Sequence, residues 1–99
     1  MPTFGILATV QAKSGHEDDL ATLMQGARAL VDAEAGTRQW FAFQMDDQTF
    51  GIFDTFDSAE DRDSHLNGAV PKALANHSDW LISPPVIKLV DLLAAKSDS

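Results

Sequence analysis

Residues 40–56, WFAFQMDDQTFGIFDTF, hold six of the chain's eight aromatic residues. They read as a strand, a turn at Asp46-Asp47 and a second strand. This segment constrains the fold because its bulky side chains project from both faces, whereas a surface hairpin is apolar on one side and polar on the other. A loop of even length places Phe41, Phe43, Phe50 and Ile52 on one face and Trp40, Ala42, Gly51 and Phe53 on the other. Both faces therefore need cover.

The flanking segments supply cover for one face. Residues 3–12, TFGILATVQA, alternate with Phe4, Ile6, Ala8 and Val10 on one side and predict a strand. Ser14 precedes an acidic first turn, where the helix dipole favours negative charge. Leu20, Leu23, Met24, Ala27, Leu30 and Val31 then recur at helical spacing, and Gly36 stands where a C-terminal cap is expected. Ser58-Ala59-Glu60-Asp61 resembles a capping box and predicts a second helix to about Asn67-Gly68. Residues 69–82 predict a further short helix with Pro71 in its first turn, ended by Pro84-Pro85. Residues 86–93, VIKLVDLL, predict the closing strand.

The order is β-α-β-β-α-(α)-β. It predicts an α+β, ferredoxin-like split βαβ fold: a four-stranded antiparallel sheet with helices on one face. The second sheet face remains apolar, and its economical cover is another copy of the same sheet, giving a homodimer through sheet-to-sheet packing. Residues 1–96 form the expected single domain, with 97–99 a frayed tail.

Ninety-nine residues suffice for one core. A net charge of −8, from 15 acidic and 7 basic residues, disfavours nucleic acid and anionic membranes as partners. Without an 18-residue apolar run or a basic leader, the expectation is a cytoplasmic protein. Cysteine is absent, which removes disulfides, thiol nucleophiles and thiolate-held metals. Tyrosine is absent as well.

TFGIFDTFDSAEDRDSHLNG (49–68), VQAKSGHEDDLATLM (10–24) and PPVIKLVDLLAAK (84–96) together resemble the antibiotic biosynthesis monooxygenase family. The resemblance implies a dimeric α+β barrel. It also implies a cofactor-independent monooxygenase that oxidises a small aromatic phenol or quinol with dioxygen. The haem-degrading branch of that family carries an asparagine on the first strand and a tryptophan on the second helix. Ala8 and His65 stand at those positions here, and only His77 is in register with that branch's histidine.

His65 and His77 are the candidate catalytic residues, since a neutral imidazole takes a proton from a phenol near neutral pH. Asp61, four residues before His65, is placed to orient it. His65 lies either at a cavity rim or in solvent. Trp40, Phe43 and Trp80 are the candidate substrate-binding residues; aromatic clusters of this kind equally form a core or a dimer interface. The spacing of His16, His65 and His77 matches no metal-ligand pattern, so no metal or cofactor is expected. The alternative reading is a non-catalytic dimeric barrel that binds a small apolar ligand or serves as a structural or stress-response module.

Overall fold

The computed structural model describes residues 3–96; the expected frayed tail, 97–99, lies outside them. The elements are β1 (Phe4–Gln11), α1 (Glu17–Asp32), β2 (Thr37–Gln44), β3 (Thr49–Phe56), α2 (Ala59–Leu66), α3 (Ala69–Asn76), a 3₁₀ turn at Ser78–Trp80 and β4 (Val86–Asp91). The four strands form one antiparallel sheet in the order β2-β3-β1-β4. This is the ferredoxin-like arrangement expected from the sequence. β1 and β3 are central, and β3 is the most buried strand.

Register assigns the faces. Ile6 pairs with Asp54, Ala8 with Ile52 and Val10 with Phe50. On the other side of β3, Trp40 pairs with Asp54 and Ala42 with Ile52. These residues all point toward the helices. Leu7, Phe41, Phe43, Phe53 and Val90 point the other way. The expected hairpin parity is thus corrected: Trp40 and Ala42 share a face with Phe50 and Ile52, while Phe41 and Phe43 share theirs with Gly51 and Phe53.

The reason is an odd loop. The Met45 N–H donates to the Thr49 carbonyl at 2.8 Å, which leaves three residues, Asp46–Gln48, beyond that last pair. The Asp46 carboxylate accepts from the N–H groups of Gln48 and Thr49 at 3.0 and 2.7 Å. These bonds hold it below the usual carboxylate range. Gln48 is the extra residue, and its carbonyl accepts from the Ala12 N–H at 2.8 Å. On the open face, a Cβ at Gly51 would collide with the Phe43 ring, so glycine permits Phe43 to lie across the strand.

α1 covers the sheet through Leu20, Met24, Ala27 and Val31, which join Val10, Phe50, Ile52, Val70, Leu74 and Leu81 in the core. Leu30, expected in that stripe, is 41% exposed. α1 starts later than Ser14 suggested: Gly15 turns with φ +93°, its N–H donates to Glu17 Oε1 at 2.7 Å, and His16 is the N-cap. It also ends earlier than Gly36, at Asp32, so residues 33–36 form a connection that carries Glu34 over α2. A Cβ on Gly36 would meet the Asp61 carboxylate at 2.6 Å, and this close approach is what glycine serves there. α2 begins where the capping signal placed it, with Ser58 Oγ accepting from the Asp61 N–H at 3.1 Å. α3 is shorter than 69–82 because the chain breaks at His77 into the 3₁₀ turn.

Candidate active site

Asp54 is the only charged residue on the inward alternation Phe50-Ile52-Asp54-Phe56, and it is 1% exposed. An unpaired carboxylate at that depth is destabilised by several kcal/mol, roughly. Its partner comes from α2: His65 Nε2 lies 2.8 Å from Asp54 Oδ2. His65 is itself 6% exposed and packs against the Phe56 ring at 5.4 Å. The other ring nitrogen, Nδ1, lies 2.6 Å from Glu34 Oε1. Glu34 also accepts from Thr37 Oγ1 at 2.8 Å.

The chemistry of this trio follows from donor counting. A neutral imidazole has one N–H, whereas the imidazolium donates from both nitrogens. Two carboxylates at hydrogen-bond distance therefore favour imidazolium. Burial acts to lower the His65 pKa, but the bonds to Asp54 and Glu34, together with their charges, outweigh it and raise the value. One oxygen is left over: Asp54 Oδ1 is buried and has no partner among the described residues.

Asp54 and His65 border a partly enclosed cavity of about 220 Å³ between the sheet and α2–α3. Ile6, Ala8, Ile52, Val70 and Leu74 make much of its apolar wall, with Ile87 on the β4 side. On its other side His65 borders a second, polar cleft of about 360 Å³, formed with Glu34, Thr37, Asp61, Ser64 and Gly68. His65 is the residue common to both linings.

The structure does not gather the other candidates around this cavity. His77 closes α3 and stacks on Trp80, with ring centroids 3.9 Å apart and planes at 20°. His16 stacks on Trp80 as well, at 5.9 Å. Both Trp80 and His77 are thus held in a surface stack. Trp40 borders a groove with Arg28, Val31 and Asp32 under the end of α1. Phe43 lies on the open face, 36% exposed. Asp61 lines the polar cleft, and Glu34 and Asp54 occupy the orienting positions expected of it. Among the described residues, no three ligand-type side chains are arranged to hold a metal ion, and no helix is long and apolar enough to cross a membrane.

Asp54 escaped the sequence reading although a signal existed: one charge interrupts the apolar face of an aromatic strand. Glu34 had none, since it sits in a connection 31 residues from His65 and meets it through the tertiary fold alone.

The fold is that of the antibiotic biosynthesis monooxygenases. A "Putative antibiotic biosynthesis monooxygenase" from Nitrosomonas europaea superimposes with a TM-score of 0.81 at 14% identity, over 92% of this chain and 99% of that one. A protein of the same description from Caulobacter crescentus gives 0.79 at 16% identity, over 94% and 92%. At these identities the likeness is one of fold. The NE2512 protein of unknown function from Nitrosomonas europaea is much nearer, with 42% identity and a TM-score of 0.96 over 100% of this chain and 97% of that one. The chain belongs to the family of NE2512. No protein-family model matches it, and neither does any curated protein.

Proposed function

We propose that the chain binds a small aromatic hydroxyl compound in the cavity between the sheet and α2–α3, and that Asp54 and His65 take its proton and ready it for dioxygen. One observation carries this reading: Asp54, a buried carboxylate whose Oδ1 has no partner among the described residues, is one of the residues that line an apolar cavity. A phenol or quinol hydroxyl supplies the missing hydrogen bond while its ring meets Ile6, Ile52, Val70 and Leu74.

Size narrows the class. An apolar cavity of about 150 Å³ holds benzene, so 220 Å³ suits one ring with substituents or two fused rings. Deprotonation raises electron density in the ring. In an overall balance, a phenol with a free ring C–H and one O2 give a quinone and one water, so one oxygen atom enters the ring and the other leaves reduced. Asp54 is the group that would touch the substrate, and His65 holds it ionised until then.

The proposal includes a homodimer. Leu7, Phe41, Phe43, Phe53 and Val90, with Lys88 among them, lie on a mainly apolar sheet face that no helix of the described residues covers, and Phe41 is 54% exposed. A second copy of this face is its natural cover.

Calorimetric titration with 2-naphthol tests the cavity. Wild type should bind, and Ala8→Leu, which fills the cavity from β1, should weaken binding at least tenfold. Equal affinity in the two proteins would place the ligand elsewhere.

A further inference from the structure

The Asp54–His65–Glu34 trio connects an apolar cavity to a cleft whose lining includes several polar side chains. Asp54 borders the apolar cavity, Glu34 borders the polar cleft and His65 borders both. The links are 2.8 Å on the cavity side and 2.6 Å on the cleft side. Glu34 has a side chain 22% exposed, against 1% for Asp54, so the chain of groups runs from the buried strand toward the surface. We infer that the trio is a proton outlet, with Glu34 the relay residue that delivers to the polar cleft the charge equivalent of a proton taken from a ligand in the cavity. The inference rests on the cavity reading and adds a route that reading does not require.

The proton count closes. The resting trio holds two protons, both on His65, and carries net −1. A hydroxyl in the cavity gives its proton to Asp54 Oδ1. His65 Nδ1 then passes its own proton to Glu34, which releases it to the cleft. The trio ends with a proton on Asp54, a proton on His65 Nε2 and charge on Glu34 alone, again net −1. The ligand oxyanion now faces a neutral acid that donates to it, not a carboxylate that repels it. Release leaves two negative charges, the ligand oxyanion in the cavity and Glu34 at the cleft, with the neutral Asp54 acid and the neutral His65 imidazole between them.

Asp54 from β3, Glu34 from the α1–β2 connection and the Phe56 ring contact His65, and Asp61 and Ser64 of its own helix share the cleft lining with it. Gly68 keeps the exit close, since a Cβ there would stand 3.1 Å from Glu34 Oε2. The cleft, at about 360 Å³, also admits a small external base.

The test mixes the protein with 4-nitrophenol below that compound's own pKa, following phenolate colour and, with a pH indicator, protons released. Wild type should bind the probe as phenolate and release one proton per site. Glu34→Gln should bind it within about threefold of wild-type affinity, yet ionise it at least tenfold more slowly, and added formate should restore the rate. A merely structural Glu34 would not respond to formate. Glu34→Asp, a shorter carboxylate, should be slowed less and also be rescued, which covers the case in which Glu34→Gln folds poorly. Release from Glu34→Gln at the wild-type rate, or a slow rate that formate leaves unchanged, would overturn the relay. Binding to wild type without proton release would overturn the relay while leaving the cavity reading intact. No binding to wild type, or binding that Ala8→Leu leaves unchanged, would overturn both.

Discussion

His65→Leu isolates the energetic role of the trio. The substitution removes the partner of Asp54 Oδ2, and Oδ1 already has none, so a carboxylate 1% exposed loses every hydrogen bond described for its side chain. Breaking a buried pair from one side costs about 3–5 kcal/mol. Total stability for such domains is about 5–15 kcal/mol, so roughly a fifth or more is at stake. At roughly 4–8 °C per kcal/mol for a domain of this size, a loss near ~4 kcal/mol lowers Tm by about 16–32 °C. The companion variant is Asp54→Leu/His65→Leu, in which two apolar side chains replace the pair. It should recover most of the loss, since replacing both partners is often neutral, while Glu34 remains partly hydrated and bonded to Thr37. Urea unfolding followed by tryptophan fluorescence, at matched protein concentration, measures the cycle. A single variant less than about 1 kcal/mol below wild type would refute the claim that His65 neutralises a buried charge. So would a double variant as unstable as the sum of the two singles.

The same trio makes stability depend on pH. Because the folded His65 pKa lies above its unfolded value near ~6.5, the native state binds a proton that the unfolded chain has lost in the interval between them. The stabilisation is complete below about 6.5 and declines as pH rises through the folded value; urea midpoints from pH 6 to 9 should show that decline in wild type and not in His65→Leu. Ser58→Ala removes the cap that accepts from the Asp61 N–H and should cost about 1 kcal/mol in the same assay. Phe41→Glu puts a charge on the open sheet face, on its edge strand β2. Light scattering should report a dimer for wild type, near twice 10.7 kDa, and a shift toward 10.7 kDa for the variant. A wild-type monomer at micromolar concentration would remove the proposed cover.

Strand alternation, the α1 stripe and the Ser58 cap made the order of elements legible in the sequence, because each is a local pattern with one physical solution. The hairpin parity was not legible. It depends on the β2–β3 register, in which Gln44 pairs with Phe50 and Met45 bonds to Thr49, so that an odd number of residues makes the turn. The site was legible in part. His65 was visible as a titratable residue on a short helix, whereas Asp54 was missed, and their pairing required the sheet register and the packing of α2. His77 and Trp80 looked equally suited to a pocket, yet the break after α3 turns them onto each other instead. Local sequence carries no mark that separates such a stack from a cavity wall.

Oxygen consumption tests the account most directly. The purified protein would be assayed in an oxygen electrode against one- and two-ring hydroquinones and naphthols, beside Asp54→Asn and Ala8→Leu checked for intact folding. The account predicts oxygen uptake by wild type, with Asp54→Asn reduced about 10²-fold or more, the scale of a positioned proton acceptor, and Ala8→Leu reduced by loss of binding. Uptake that both variants retain, or no uptake by wild type with any compound it binds, would contradict it and leave a barrel that binds its ligand without transforming it.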